Sequence, residues 1–83
     1  MNVEQTVLRV LDEALSLGGR GLTFNRNTHL LGALPELDSM AVVSLITLLE
    51  ERLGIVVDDG DIDGNTFATV GSLTDYASAQ MSA

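Results

Sequence analysis

Apolar residues recur at helical spacing in three stretches of the chain, and each stretch carries its own stop signal. In the first, Val3, Val7, Val10, Leu11 and Ala14 share a stripe, with Gln5, Arg9, Asp12, Glu13 and Ser16 opposite. This predicts an amphipathic helix over residues 3–17, ended by Gly18, Gly19 and Gly21. In the second, Asp38 is a good N-cap for a helix that runs to residue 53 and stops at Gly54. Its wheel sends Val42, Ile46, Leu49 and Leu53 inward, flanked by Val43 and Leu45. Met40, Ser44, Thr47 and Glu51 point outward, with Ala41 and Leu48 at the side. In the third, Thr69 caps a helix over residues 70–80, with Val70, Leu73, Ala77 and Tyr76 inward.

The segments between these helices lack a sustained period. Residues 18–37 mix Asn25, Asn27, Gly32 and Pro35 with Phe24, Leu30, Leu31 and Leu34. They predict a long ordered loop pinned to the core by its apolar residues, of a length that usually serves a function. Ile55, Val56 and Val57 read as an extended connector, and residues 58–67 as an acidic loop with room for one helical turn. The expected fold is a single all-α domain over residues 1–83, a small four-helix bundle of three main helices and one short one.

Composition narrows the chemistry. Eighty-three residues with a 46% apolar fraction supply one core. No Cys is present, so no disulfide framework or thiolate metal site is expected, and any thiol must come from an attached group. Four basic residues, all Arg, oppose twelve acidic ones, for a formal charge of −8. That balance argues against nucleic acid and against an anionic membrane surface. A basic protein surface is the natural partner. No run is long enough for a membrane span, and no basic segment followed by an apolar one opens the chain. The expected compartment is the cytoplasm, and the expected state a monomer.

The informative segment is Leu34-Pro35-Glu36-Leu37-Asp38-Ser39-Met40. It places an exposed serine at the positive end of the longest amphipathic helix, a position that favours an attached phosphate. The stretch LPELDSMAVVSLITLLEERLGI, followed by DIDGNTFATVGSLTDYA, resembles the acyl carrier protein family from the first helix to Tyr76. The resemblance implies that Ser39 receives 4′-phosphopantetheine from coenzyme A through a Mg²⁺-dependent phosphopantetheinyl transferase. The arm's thiol then holds cargo as a thioester, and the chain itself is not an enzyme. Asp38 is implied to orient the transferase. Met40, Glu36, Thr47, Glu50 and Glu51 are implied to contact partners: an acyl-loading ligase or synthase and acyl-accepting enzymes, with fatty-acid and lipid metabolism as the general setting.

The sequence departs from the family pattern where acids are usual on the second helix, since Ala41 and Ser44 stand there and Arg52 breaks the later acids. A partner with a less basic, more apolar docking face fits this better. The tetrapeptide Leu37-Asp38-Ser39-Met40 is also similar to carriers of an amino acid such as D-alanine. The longer Leu-Pro-Glu-Leu-Asp-Ser-Met wording resembles free-standing carriers of bacterial exopolysaccharide and exosortase systems. A calcium-binding module is the remaining alternative. Residues 59–64 match the first half of an EF-hand loop, but the twelfth position is Val70 instead of a bidentate Glu, and the eighth is Thr66. No metal site is expected. His29 lacks a nucleophile partner by pattern, and Gly18-Gly19-Arg20-Gly21 lacks the strand and Lys of a phosphate-binding loop. Arg9 and Glu13, four apart, are expected to pair on the first helix.

Overall fold

The computed structural model describes residues 2–82. Asn2 opens helix α1, Val3–Ala14, by accepting the Gln5 N–H at 3.0 Å, which satisfies an orphan donor of the first turn. Val7, Leu8, Val10 and Leu11 are buried along it. Leu8 therefore joins the stripe read from the sequence, while Val3 and Ala14 are only partly covered. The helix stops at Ala14, short of the expected Leu17. Ser16 takes a left-handed φ of 54°, and the Leu17 N–H reaches back to the Asp12 carbonyl at 3.0 Å. Such a closing turn satisfies late helix carbonyls, so the helix ends before its glycines. Leu15 and Leu17 still enter the core from this turn.

Asp12 lies on the face expected to meet solvent, but it is half-buried because the following turn needs its carboxylate. One oxygen accepts the N–H of Gly19 at 2.8 Å and of Gly21 at 3.0 Å. A Cβ at Gly21 would meet the Asp12 Cβ at 2.8 Å, so a side chain there would force the turn away. A 3-10 turn, Arg20–Thr23, follows. The long first loop is thus ordered, as expected, and contains a 3-10 turn in addition.

Residues 26–31 run beside the segment leading into the last helix. Leu30 N–H donates to the Ala68 carbonyl at 2.8 Å and Leu31 N–H to that of Phe67 at 3.0 Å; Val70 and Gly71 N–H donate to Thr28 and Arg26 at 3.0 and 2.9 Å. His29 and Thr69 form an isolated antiparallel bridge. The loop is therefore pinned by backbone pairing as well as by apolar contact. Leu30 is fully buried and Phe24 and Leu34 are partly so, but Leu31 stays 45% exposed.

Helix α2, Ser39–Leu53, ends at Gly54 with a left-handed φ of 66°, as expected for a glycine stop. Its buried residues are Leu45, Leu49 and Leu53. Val42 and Ile46 are only partly buried, and Val43 is 62% exposed. The inward direction is thus rotated toward Leu45 relative to the predicted wheel. Helix α3, Val70–Ser82, starts with Thr69 and Ser72 capping each other: Ser72 N–H donates to Thr69 Oγ1 at 3.1 Å and Thr69 N–H to Ser72 Oγ at 3.0 Å. The reciprocal arrangement is that of a capping box. The acidic loop holds one 3-10 turn, Asp59–Asp61, the single helical turn for which it has room. The three helices close around one cluster that also takes in Leu30, Leu37, Ile55 and Phe67.

Arg52 on α2 pairs with Glu13 on α1, so Glu13 reaches across the helices and not along its own to Arg9. Arg26 pairs with Asp75 on α3 at 2.8 Å. Exposed pairs of this kind contribute little each; their value is in tying distant segments.

Thr74 on α3 is 6% exposed, and its Oγ1 is buried without a hydrogen-bond partner. A lone hydroxyl in an apolar site costs desolvation with no return. Thr74→Val, which replaces it with a methyl group, is expected to raise unfolding free energy by about 1 kcal/mol. The urea midpoint should rise with an unchanged slope; a lower midpoint would mean that the hydroxyl has a partner in solution.

Candidate functional site

Ser39 is the first residue of α2, and Asp38 is its N-cap. The Asp38 Oδ1 accepts the Ala41 N–H at 2.8 Å, and its carbonyl accepts the first helical bond from Val42 at 2.9 Å. The Ser39 and Met40 amides precede that bond at the positive end of a 15-residue helix. Ser39 is exposed and Met40 is 77% exposed. A solvent-facing primary hydroxyl with helix-start amides beside it fits a phosphodiester at this position.

Three other serines, Ser72, Ser44 and Ser16, offer less. Ser72 donates its hydroxyl to the Thr66 and Thr69 carbonyls, both at 2.9 Å, and so is engaged in the α3 cap. Ser44 is exposed but lies inside α2, where the amides are used by the helix. Ser16 follows the end of α1, where the helix dipole is negative and repels phosphate.

The approach to Ser39 is a short irregular segment. Ala33 and Leu34 N–H donate to the Leu30 carbonyl, Leu37 N–H to that of Leu34, and Asp38 N–H to that of Glu36. Leu37, 5% exposed, is its apolar anchor. Glu36 is half-buried and accepts from the Arg20 guanidinium at 2.9 Å. Its own backbone amide, then Arg20, holds its carboxyl below the usual carboxylate range. Glu36, expected to face partners, is thus paired with Arg20 at the surface.

The other predicted contact residues divide. Met40, Thr47 and Glu51 lie on one exposed face of α2, with Thr47 Oγ1 donating to the Val43 carbonyl at 3.0 Å. Val43 and Ser44 complete that face, so its part nearest Ser39 is uncharged. Glu50 is placed otherwise. It is half-buried at the edge of the helix, and its carboxylate accepts the Val57 N–H at 2.9 Å, which fastens the connector after α2.

Three carboxylates of the acidic loop also turn to local tasks. Asp58 accepts the Gly60 N–H at 2.9 Å, Asp61 accepts the Tyr76 hydroxyl at 3.1 Å, and Asp63 accepts the Asn65 and Thr66 N–H groups at 3.0 and 2.8 Å. The Thr66 contacts lead in lowering the Asp63 carboxyl below its usual range. Among the described residues no group of three or more His, Cys, Asp or Glu converges on a metal position. No described helix is long and apolar enough to cross a membrane.

Sequence reasoning missed Asp12, which accepts the Gly19 and Gly21 amides, and Arg20, which pairs with Glu36 in the approach to Ser39. The Gly-Gly-Arg-Gly run was the available signal, since tight glycine turns need acceptors for their amides. Which carboxylate would supply one is a long-range question.

Comparison with known proteins agrees with this geometry. Residues 5–77 match the family model described as a phosphopantetheine attachment site. Among solved structures, the solution NMR structure of a holo acyl carrier protein from Nitrosomonas europaea is similar, with 43% identity, full coverage of both chains and a TM-score of 0.91. A comparison with curated protein sequences found no match.

Proposed function

This chain belongs to the acyl carrier protein family, with 4′-phosphopantetheine as its covalent cofactor, and we propose that Ser39 is the residue that bears it. The observation that carries the reading is the exposed Ser39 hydroxyl at the start of α2, beside the capping carboxylate of Asp38. The arm, when bound, supplies a terminal thiol that holds an acyl group as a thioester. The chain's residues present and orient. Asp38 keeps the first turn of α2 formed, so Ser39 faces a docked transferase with its hydroxyl free. In the transfer, the Ser39 oxygen bonds to phosphorus, its proton passes to a base of the transferase, and the phosphate bond to the nucleotide half of coenzyme A breaks. The helix-start amides of Ser39 and Met40 would favour the charge of a phosphodiester held there. Tethering keeps cargo at high effective concentration for successive enzymes without new contacts. On this reading the chain is a cytoplasmic carrier and not itself a catalyst.

The docking face follows from α2. Met40 and Val43, 77% and 62% exposed, stand next to Ser39, while Glu51 lies further along the same face. A loading ligase or synthase with an apolar patch opposite Met40 and Val43 matches this face better than one that reads a row of acids. The distant acids and the charge of −8 then contribute chiefly to the approach rate.

Two measurements test these statements. Apo protein incubated with coenzyme A, Mg²⁺ and a broad phosphopantetheinyl transferase should gain the mass of one arm, and Ser39→Ala should abolish the gain. Labelling of Ser39→Ala at Ser44 would refute the assignment. For docking, Met40→Ala should weaken binding to the cognate loading enzyme about tenfold, as loss of a buried apolar anchor does, with unchanged circular dichroism. Glu51→Gln should slow association, and less so at high salt. If Met40→Ala binds like the wild type while Glu51→Gln abolishes binding, docking is electrostatic and the apolar-face reading fails.

A further inference from the structure

The polar contacts that lead from α1 to Ser39 form one continuous chain. Asp12 on α1 holds the Gly19 and Gly21 amides on either side of Arg20, at 2.8 and 3.0 Å. Gly21 packs on Asp12 closely enough that an added Cβ would lie 2.8 Å from the Asp12 Cβ. The backbone of Arg20 is therefore fixed to α1. From that fixed point its guanidinium reaches Glu36 at 2.9 Å. Glu36 in turn is bound into the last turn before the helix, where its carbonyl accepts the Asp38 N–H at 3.2 Å. Asp38 caps α2, and Ser39 follows.

We infer that the Arg20–Glu36 pair is a positioning device that holds Ser39 in the orientation the transferase requires, an inference that rests on Ser39 being the attachment residue. Residues 34–38 form no regular helix or strand. Leu34 and Leu37 anchor them on the core and their backbone bonds are local to residues 30–38, which leaves the segment free to shift about those two contacts. The further tether, from a fixed arginine to Glu36, removes that freedom. Without it the segment must be ordered when the transferase docks, and that cost appears in binding. Once the complex has formed, the transferase supplies the order and the chemical step is unchanged. Both side chains are partly exposed, 58% for Arg20 and 33% for Glu36, so the pair contributes little to global stability. Its use is local.

The test compares wild type, Arg20→Gln, Glu36→Gln and the double exchange Arg20→Glu with Glu36→Arg, all as full-length apo protein. Transfer from coenzyme A is followed by mass spectrometry to obtain KM for the carrier and kcat, with Tm as the folding control. Each single variant should raise KM about fivefold with kcat within about twofold, and the double exchange should restore most of KM. Tm should move by only a few degrees. Backbone ¹⁵N order parameters at Asp38, Ser39 and Met40 should fall in the single variants and recover in the exchange, even for a variant too weak for kinetics. Unchanged KM and order parameters in both single variants would overturn the inference. So would a double exchange no better than the singles, because it would mean that each residue touches the transferase directly. Wild type that takes no arm at Ser39 would instead overturn the attachment reading beneath it.

Discussion

Backbone pairing between residues 26–31 and the entry to α3 is the constraint on which the rest of the structure depends. The segment between α1 and α2 is long, and its amides and carbonyls need partners when the core closes over them. Leu30 and Leu31 find them on Ala68 and Phe67, and Thr28 and Arg26 accept from Val70 and Gly71. Gly71 is buried, and a Cβ there would stand 3.0 Å from the Arg26 carbonyl, so the close approach uses the absence of a side chain. This pairing inserts Leu30 into the core and fixes where the segment turns back toward α2. The Asp12 carboxylate secures the first half of the loop in the same way. Together they leave only the short stretch before Ser39 to be set by Leu37 and Glu36.

The arginines show how a chain so acidic keeps its distant parts together. Arg20, Arg26 and Arg52 each pair with a carboxylate in another part of the chain, Glu36, Asp75 and Glu13. Their charge is directed within the molecule, and the excess acid remains for the surface. On α2 the face beside Ser39 carries Met40, Val43, Ser44 and Thr47, so past the capping Asp38 this face is uncharged as far as Glu51. In the docking proposed above, long-range acid attraction would serve encounter and short-range apolar contact would serve docking.

The helices and the candidate serine were legible because their signals are local. Asp38, Thr69 and Gly54 act as caps and stops at the positions where the sequence puts them, and the leucines of α2 return at helical spacing. The early end of α1 was not legible, because Ser16 in a left-handed conformation is unusual for a residue with a Cβ. The wheel for α2 was rotated: Val42, Val43 and Leu45 are equally apolar, and only packing against α1 and α3 decides that Leu45 is buried and Val43 exposed. Glu36 and Glu50 looked like surface acids because sequence shows charge but not the Arg20 side chain or the Val57 amide that engages it. The family resemblance pointed to Ser39 as the candidate, while these non-local contacts show how the fold surrounds it.

The central claim is that this fold exists to present one hydroxyl, that of Ser39, for covalent loading. Top-down mass spectrometry of the protein isolated from its native cell tests it most directly, since fragmentation locates the added mass without relying on a borrowed transferase. The account predicts a single phosphopantetheine, with or without acyl cargo, confined to fragments that contain Ser39. An arm on any other residue, or a protein that is never modified in growing cells, would contradict it.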